Sequence, residues 1–480
     1  MAGHDSFLDV LPRGWRYDRL KDVVALRNEK TDAVSAEEDY LELEDLESGS
    51  GRILNRRNTL DVESAVTLFK KGDVLFGKLR PYLEKYYEAE FDGKCTGEIL
   101  AFKPERVASR FLFYCFGSRW LIERCNALAY GAKMPRVSWE KQLSQFNIPL
   151  PPLPEQQRIA AYLDASCAAI DAAVAAKRRQ LETLDELRKE TVTSAVTRGL
   201  SPDMRTKPSG EDWLGEIPAH WSAPSLKRLL REPLTYGLNE AAELEERELP
   251  RYLRITDFDD DGKLRDDTFR SLPREIAYEA LLKPNDVLFA RSGATVGKTF
   301  MFRDYDGEAC FAGYLIRART LPWKLDPLFL YLFTKSTAYE SWKNLIFTQA
   351  TIQNISAAKY NYLAIPLPPL EEQRAIVAHV EEKSAAFRCL AACIQAQIST
   401  LTAYRKSLIH ECVTGQRRIT ESPSPGGYGG SKANWVRRQL SEETGRLNRE
   451  PSEKGGRLKV PGADGRQPVS AETDTKRNRT

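Results

Sequence analysis

The stretch IPLPPLPEQQRI at residues 148–159 returns as IPLPPLEEQRAI at residues 365–376, at an offset of 217 positions. Earlier matches keep the same order: Trp15 returns as Trp221 at an offset of 206, and DVLF at residues 73–76 returns at 286–289 at an offset of 213. An offset that grows slowly along the chain indicates a few insertions in the second copy. Because this period is far longer than that of a solenoid repeat, the sequence predicts two half-chains of one fold, each of about 200 residues.

Each half repeats the same order of predicted elements. Short runs typical of β-strands come first, as at 74–76 and 287–290, and a helical, aromatic-rich segment follows at 110–128 and at 328–345. The PLPPL segment then predicts a stiff spacer outside helices and strand ladders, because proline lacks a backbone N–H. Pro154 stands where the second copy has Glu371, which predicts a differently shaped start for the helix that follows.

A long helix is predicted after each proline segment, near residues 155–198 and 372–414. In both, apolar positions recur at alternating steps of three and four over about five heptads, which is typical of a coiled-coil seam. At ~1.5 Å per residue, each helix would reach about 65 Å. We expect the two helices to pair with each other, the alternative being that each packs on its own domain. The predicted seam residues are Leu163, Ile170, Val174, Leu181, Leu184, Val380, Phe387, Ile394, Ile398 and Leu401.

The charge of the chain is nearly balanced, with 71 Lys and Arg against 68 Asp and Glu. The last 60 residues hold 12 of the basic and 8 of the acidic residues, so the remainder carries a net charge of −1. This balance excludes a histone-like or membrane-coating protein, whose whole surface would carry one sign, but it allows nucleic-acid binding through one positive face. The last residues are poor in apolar side chains and rich in Gly, Pro and Ser, which predicts a disordered tail.

The eight cysteines form no Cys-x-x-Cys pair, and the sequence begins without a charged segment followed by an apolar one. For a chain of this length, the pattern favours buried thiols in a reducing compartment. No uninterrupted run of about 18 apolar residues occurs, so no membrane span is expected. We therefore predict a cytoplasmic protein.

Two kinds of polar loop recur in the two halves. The first follows a predicted strand and ends in a lysine, as RSGATVGKT at 291–299 does. This segment is not a P-loop, since only three residues separate Gly293 from Gly297 and a strand-like run follows. The second loop precedes the proline segment, at 130–138 and 348–356, and its polar residues differ between the halves.

These loops hold the candidate DNA-binding side chains, because Arg, Lys, Gln, Asn, Ser and Thr bind phosphates and base edges. A solvated basic hairpin is the alternative for any single residue. The candidates in the first half are Lys78, Arg80, Tyr82, Lys85, Lys133 and Arg136. Those in the second half are Arg291, Ser292, Thr295, Lys298, Gln349, Thr351, Gln353 and Asn354.

No catalytic or metal-binding constellation stands out in the sequence. The four histidines are not paired at metal-ligand spacing, and neither Gly-x-Gly-x-x-Gly nor Gly-x-Ser-x-Gly occurs. An Asn/Asp-Pro-Pro-aromatic motif for amino-methylation of a base is also missing. We therefore predict no catalytic and no metal-ligating residues.

With these features together, the chain resembles the specificity (S) subunits of type I restriction–modification systems. The resemblance rests on PLPPLPEQQRIAAYLDA from Pro149, PLPPLEEQRAIVAHVEE from Pro366, ETVTSAVTRGL from Glu190 and WLGEIPAHW from Trp213. It covers residues 11–416, and its Pro-Pro-Leu-x-Glu-Gln pattern before a heptad helix occurs twice.

The resemblance implies an α+β fold with two pseudo-repeated target recognition domains, at residues 1–153 and 200–370. Two long antiparallel coiled-coil helices would separate them, at 154–199 and 371–416, followed by a disordered tail at 417–480 that the family pattern does not include. Each domain would read one half of an asymmetric, bipartite site in double-stranded DNA. The paired helices would set the spacing of the two halves.

The resemblance also implies partners and a subunit without catalysis of its own. Two methyltransferase subunits would dock on the helix flanks, restriction/translocase subunits would join them, and no membrane would be involved. No cofactor is expected in this chain, since S-adenosylmethionine, ATP and Mg²⁺ would be held by the partners. The predicted docking residues are Glu155, Gln156, Arg158, Glu372, Gln373 and Arg374. A coiled-coil scaffold that assembles enzymes without binding DNA is the alternative.

Overall fold

The computed structural model of the chain describes residues 11–31, 39–58, 66–241, 243–259, 262–293, 295–348 and 354–419. The chain divides into two compact units. Unit 1 is Met1–Ala169 with Ile409–Thr480, and unit 2 is Ile170–Leu408. Most of the predicted tail, residues 420–480, lies outside the described residues, so its disorder stays a prediction.

Unit 1 is built mainly from short strands. Its strands are β1 (Arg16–Arg19), β2 (Val24–Leu26), β3 (Lys30–Thr31), β4 (Asp39–Leu41), β5 (Arg57–Asn58), β6 (Val66–Phe69), β7 (Val74–Gly77), β8 (Tyr86–Glu88), β9 (Gly93–Cys95), β10 (Ile99–Pro104) and β11 (Asn147–Leu150). Its helices are α1 (Leu20–Val23), α2 (Ser109–Phe116), α3 (Arg119–Leu128) and the first part of α4 (Leu153–Arg198).

A four-stranded antiparallel sheet of unit 1 has the order β2-β10-β7-β8, and a five-stranded sheet has the order β3-β6-β9-β4-β5 with β4 and β9 parallel. Every residue of β7 is buried. Phe76 of β7 stacks on Phe116 of α2, with ring centroids 4.8 Å apart. Because aromatic pairs of this kind bury large apolar areas, α2 closes one face of this sheet.

Unit 2 has its own set of elements. Its strands are β12 (Thr206–Pro208), β13 (Glu216–Pro218), β14 (Thr235–Tyr236), β15 (Arg251–Leu253), β16 (Val287–Ala290), β17 (Thr299–Met301), β18 (Ala309–Phe311) and β19 (Leu315–Ala318). Its helices are α5 (Arg274–Ala277), α6 (Pro327–Phe333), α7 (Thr337–Thr348), α8 (Ala357–Asn361) and most of α9 (Leu370–Val413).

The strand order of unit 2 repeats that of unit 1. The antiparallel sheet β14-β19-β16-β17 corresponds to β2-β10-β7-β8, and the parallel pair β15 and β18 corresponds to β4 and β9. Trp221, Phe289 and Tyr360 are fully buried in one apolar core together with the end of α4 and the start of α9. The predicted duplication of an α+β fold is therefore confirmed.

Each aromatic-rich segment predicted as helical forms two helices. The breaks fall at equivalent places, where Ser118 precedes α3 and Ser336 precedes α7. The hydroxyl oxygen of Ser118 accepts from Leu121 N at 3.5 Å, and that of Ser336 accepts from Tyr339 N at 3.2 Å. A serine cap satisfies an N–H that the first helical turn leaves unpaired, so these serines start new helices.

The prediction that the proline segment lies outside strand ladders is wrong in unit 1. Pro149 belongs to β11, opposite Tyr17 of β1, in a two-stranded sheet. Each strand of such a sheet has a free edge, where a residue without an N–H removes no ladder bond. The equivalent segment of unit 2 forms isolated bridges, such as Leu367 with Ser222.

The two long helices begin at equivalent residues, Leu153 and Leu370. The prediction that Pro154 changes the start of the first helix is therefore wrong. Proline is tolerated in the first turn because the N–H that it lacks has no partner within the helix there.

Within unit 2, α4 and α9 pack antiparallel. Asp171 of α4 forms an ion pair with Arg405 near the end of α9, at 3.1 Å. A Cβ placed on Gly199, just after α4, would lie 3.3 Å from Glu372 at the start of α9. Among the predicted seam residues, Leu163, Ile170, Val380, Ile394 and Ile398 are buried, and Val174, Leu181, Leu184, Phe387 and Leu401 are half-buried.

Among the described helices, α4 alone is long and apolar enough to cross a membrane. In its most apolar stretch, 33% of the residues are buried inside the protein. Two carboxylates of α4 are engaged within the fold. Asp164 accepts hydrogen bonds from Arg110 and Tyr114, each at 2.6 Å, and Asp171 pairs with Arg405. These are contacts of a helix packed on protein, so the hydropathy of α4 is weak evidence for a membrane span.

Candidate nucleic-acid interface

The two polar loops predicted in unit 1 lie side by side. Val137 N donates to Lys78 O at 3.0 Å, and Arg80 N donates to Pro135 O at 2.7 Å. Residues 78–85 and 130–138 therefore form one surface, the unit 1 tip.

The equivalent loops of unit 2 also meet. Ile355 N donates to Arg291 O at 2.9 Å, and Ser292 forms an isolated β-bridge with Asn354. Residues 291–293, 295–298 and 354–356 form the unit 2 tip. The predicted site residues Gln349, Thr351 and Gln353 lie outside the described part of the chain.

One backbone frame holds both tips. Lys78 N donates to Glu98 O at 3.0 Å, and at the equivalent place Arg291 N donates to Tyr314 O at 2.9 Å. Leu79 bridges to Arg136 as Ser292 bridges to Asn354. This frame places Arg291, Tyr314 and Asn354 of unit 2 at the positions that Lys78, Glu98 and Arg136 occupy in unit 1. The same backbone arrangement therefore carries different side chains in the two tips.

In the unit 1 tip, some predicted cations are already engaged. The Arg136 guanidinium forms two hydrogen bonds of 3.1 Å with the Glu98 carboxylate. The Lys85 ammonium donates to Leu46 O and is turned toward the protein. Lys78 is half-buried.

Other side chains of the unit 1 tip face solvent, namely Arg80, Tyr82, Tyr130 and Lys133. Arg80 and Glu84 both have φ of 51°, in the left-handed region, at the two ends of the turn Pro81–Leu83. Non-glycine residues rarely take this conformation, and such residues are concentrated at functional sites. The turn presents Tyr82, which is 54% exposed.

The unit 2 tip is built around Arg291. Its guanidinium lies 4.6 Å from the ring centroid of Tyr236, whose hydroxyl accepts from Ala357 N at 2.9 Å. Arg291 Nε and Asn354 Oδ1 are buried and have no hydrogen-bond partner among the described residues. A stacked guanidinium presents its fork in a fixed plane, which suits bidentate binding to guanine, and an Asn amide suits adenine.

The remaining predicted residues of this tip are Ser292, Thr295 and Lys298, and all are half-buried. Ala290 N donates to Lys298 O at 2.8 Å, and Lys298 N donates to Thr295 O at 2.9 Å. The strand β17 follows at Thr299, where a P-loop would begin a helix. The part of this tip between β16 and β17 is therefore the loop of a β-hairpin.

Two of the predicted docking residues are unsuited to that role. Gln156 is 2% exposed; its amide oxygen accepts from Ala108 N at 2.8 Å, and its amide nitrogen donates to Pro151 O at 2.9 Å. Gln373 is fully buried and makes the equivalent bonds to Asp326 N and Pro368 O. Both amides fasten the helix start to its own unit, because a buried amide must be hydrogen-bonded.

The other predicted docking residues vary in exposure. Glu155 is buried and lies 3.4 Å from Arg418, while Arg158 is half-buried. Glu372 accepts from Trp221 Nε1 at 3.1 Å and contacts His220 Nε2 at 2.8 Å. Only Arg374 of the six is exposed, and it pairs with Glu371 at 3.0 Å.

Sequence reasoning missed Glu98, Tyr236 and Tyr314 at the tips. They lie outside the two polar loops, on or next to strands that are distant in sequence. Glu98 and Tyr314 could have been found by aligning the two halves, since they are equivalent. Tyr236 had no comparable signal.

Metal and thiol chemistry are not prominent in the described residues. They contain no group of three or more His, Cys, Asp or Glu that could hold a metal ion. Six of the cysteines are buried, and Cys389 and Cys393 are exposed on α9. Burial raises the pKa of the Cys95 and Cys310 thiols to about 12, which keeps these thiols protonated and unreactive.

The chain is similar to known proteins in sequence and in fold. A family model described as "Type I restriction modification DNA specificity domain" matches residues 12–183 and 276–388, more than half of the chain. The chain is 24% identical over 289 residues to the type I restriction enzyme EcoBI specificity subunit of Escherichia coli, covering 58% of this chain and 60% of that relative. The match therefore spans less than two thirds of the EcoBI protein.

Two further similarities extend over more of the chain. This chain is 22% identical over 397 residues to the type I restriction enzyme MjaVIII specificity subunit of Methanocaldococcus jannaschii. The match covers 76% of this chain and 85% of that relative. A solved chain described under "Structural basis underlying complex assembly and conformational transition of the type I R-M system" superposes with a TM-score of 0.68 at 22% identity, covering 85% of this chain and 100% of that chain. The duplicated α+β fold and the family match agree: this protein belongs to the specificity-subunit family of type I restriction–modification systems.

Proposed function

We propose that this chain is the sequence-specificity subunit of a type I restriction–modification complex, and that each tip reads one half of an asymmetric, bipartite site in double-stranded DNA. The observation that carries the proposal is the shared backbone frame of the tips. Lys78 and Arg291 occupy the same hydrogen-bonded position, as do Arg136 and Asn354. Two readers of different sequences need a constant frame with different polar groups.

The side chains divide by chemistry into phosphate and base contacts. Arg80, Lys133 and Lys298 would bind phosphates, because single cationic groups on loops suit that contact. Arg291 and Asn354 would bind base edges, since a guanidinium held over the Tyr236 ring suits guanine and an Asn amide suits adenine. Lys78, Tyr82, Ser292 and Thr295 complete the two surfaces, whereas Lys85 is turned away from them.

The long helices would set the distance between the half-sites and dock two methyltransferase subunits. With 46 residues, α4 is about 69 Å long at ~1.5 Å per residue. Arg374 and the partly exposed Glu372 remain candidates for docking, and the buried Gln156 and Gln373 do not. Half-site spacing would then follow from helix length.

In this complex the chain would catalyse nothing itself. Methyltransferase and restriction/translocase subunits would hold S-adenosylmethionine, ATP and Mg²⁺, and the assembly would act on DNA in the cytoplasm. A coiled-coil scaffold without DNA binding remains the alternative function.

Footprinting of the complex with its methyltransferase partners tests the proposal. We expect two protected segments separated by an unprotected gap. Replacing residues 11–153 with the equivalent segment of another family member should change the bases of one segment and leave the other unchanged. A complex that assembles but protects no bipartite site would establish the scaffold function instead.

A further inference from the structure

The turn at the centre of the unit 1 tip is enclosed by two residues in the left-handed region. Arg80 and Glu84 both have φ of 51°. At the offset of 213 positions, their equivalents in unit 2 are Gly293 and Gly297, with φ of 83° and 79°. Glycine takes this conformation without a steric cost, whereas residues with a side chain do not. Unit 2 thus builds this turn with glycine, and unit 1 keeps side chains at both ends despite the strain.

The strained turn of unit 1 is held in place from both sides. Arg80 N donates to Pro135 O of the adjoining loop at 2.7 Å, and Glu84 O accepts from Gly49 N at 2.9 Å. Pro81, the first residue of the turn, is buried. Strained residues persist only where the surrounding structure fixes them, and they are concentrated at functional sites. The exposed side chains of this turn are therefore presented from a fixed backbone.

The exposed side chains of the unit 1 tip combine aromatic and cationic groups. Tyr82, at the centre of the turn, is 54% exposed, whereas the equivalent Thr295 of unit 2 is small and half-buried. On the adjoining loop of the same tip, Tyr130 is 57% exposed. The cations Arg80 and Lys133 of these two loops are exposed as well. Aromatic side chains interleaved with cations are suited to stacking on nucleic-acid bases while binding the phosphate backbone.

The two tips differ in the groups that they offer to a base. In unit 2 the Arg291 guanidinium lies over the ring of Tyr236, so the charged group covers one face of the aromatic one. In unit 1 the Arg136 guanidinium is paired with Glu98 at 3.1 Å, and the prominent group on the strained turn is Tyr82. A stacked guanidinium suits hydrogen bonds to base edges, whereas an exposed ring suits stacking on a base face.

We propose that Tyr82 inserts at a base-pair step of the half-site read by unit 1 and stacks on a base there, with Arg80 bound to an adjacent phosphate. This inference rests on the proposed function, because DNA bound at the unit 1 tip would supply the step. A side chain inserted at a step unstacks it and bends the duplex, and the cost depends on the sequence of that step. Unit 1 would therefore read part of its half-site through the ease of deforming the DNA.

The test uses the assembled complex of the full chain with its methyltransferase partners. Fluorescence anisotropy measures binding of the cognate duplex, either intact or with a single-strand nick placed in turn at each step of the half-site read by unit 1. Because a nick lowers the cost of bending a step, a nick at one position should raise the affinity of the wild type. Tyr82→Ala should weaken binding to the intact duplex by about tenfold, as for one lost stacked base, and should abolish the gain at that nick.

Two further variants serve as controls. Tyr82→Phe keeps the ring, so it should keep both the affinity and the gain at the nick. Tyr278 is 77% exposed and lies outside both tips, so Tyr278→Ala should bind like the wild type. A wild type without a gain at any nick, or a gain that Tyr82→Ala retains, would overturn the proposal. So would an equal loss of affinity in Tyr82→Phe and Tyr82→Ala, since the hydroxyl would then be the contact.

Arg80→Gly separates the strain from the phosphate contact. Glycine relieves the left-handed strain, so the free energy of unfolding in urea should be unchanged or higher. Cognate and non-cognate duplexes should both bind more weakly by a similar factor, and the slope of log K against log salt should fall by about 0.9. A less stable protein with an unchanged slope would overturn the assignment of Arg80, because its side chain would then be structural.

Gel filtration and the choice of duplex distinguish the remaining outcomes. If Tyr82→Ala no longer assembles with the methyltransferase subunits, Tyr82 contacts a protein partner and the proposal is wrong. If the wild-type complex itself does not prefer the cognate duplex, the proposed function fails, which separates its failure from that of the Tyr82 contact.

Discussion

Arg136 and Asn354 occupy equivalent positions in the two tips, yet their side chains are held in different ways. Arg136 bridges to Leu79, and its guanidinium is locked in two hydrogen bonds with Glu98. Asn354 bridges to Ser292, and its Oδ1 is buried without a partner among the described residues. One tip carries an arginine neutralised in an ion pair, and the other carries a neutral amide whose acceptor oxygen is buried, so the same kind of substitution should act differently in the two units.

Arg291→Ala should change base preference in one half-site only. The side chain is stacked on Tyr236 with its fork available, and loss of a bidentate base contact costs about 1–3 kcal/mol of discrimination. Methylome sequencing of cells that carry the complete system should show one relaxed position in the half read by unit 2. Lys78→Ala, at the equivalent position, is the control and should affect only the other half. Relaxation of both halves by either variant would contradict separate readers.

Glu98→Gln should strengthen DNA binding through unit 1. The substitution removes a negative charge and releases the Arg136 guanidinium from its ion pair, so an additional cation becomes available at the tip. The folding cost should stay within about 1 kcal/mol, because both side chains are about one third exposed and such pairs contribute little. Anisotropy with non-cognate duplex measures the gain, and urea unfolding measures the stability. Unchanged affinity would show that Arg136 does not face the DNA.

Gln373→Ala should destabilise unit 2 by roughly 2–4 kcal/mol, since groups that lose a partner while buried cost ~1–3 kcal/mol each. The variant leaves Asp326 N, Lys324 O and Pro368 O without this amide. Chemical unfolding followed by circular dichroism checks the loss. Arg374→Ala, the next residue in the same turn but exposed, should change stability by less than about 0.5 kcal/mol. Equal effects would mean that Gln373 does not anchor the helix.

The features that were predictable from sequence are those with a local or repeated signal. The spacing of apolar residues such as Ile394 and Ile398 depends only on helix periodicity, and it predicted the long helices to within a few residues. The equivalence of the two units followed from the duplication. Helix periodicity and the repeat can both be recognised in the sequence without knowing which distant segments are in contact.

The features that sequence could not supply depend on contacts between distant segments. Gln156 looked like a polar docking residue, but its partner Ala108 is 48 positions away and buries it. Pro149 looked like a strand breaker until β1 provided a two-stranded sheet with free edges. Tyr236 joins the unit 2 tip only because β14 lies beside β19. In each case tertiary contacts override local preference.

The stability of unit 2 should depend on pH through Lys335. Burial, and then the cations Lys298, Arg188 and Lys343, lower its pKa to about 7 from an ordinary 10.5, against the opposing carboxylate of Glu340. Between these values the unfolded chain binds a proton that the folded chain does not, so stability rises as the pH increases from 7 to 10.5. Below 7 both states are protonated, and Lys335 contributes no further slope.

Lys335→Met isolates this contribution, because it keeps a long apolar side chain and removes the titrating group. Urea unfolding across the pH window should show a rise in stability for the wild type and a flatter profile for the variant. An equal rise in stability in Lys335→Met would assign the titration to another group.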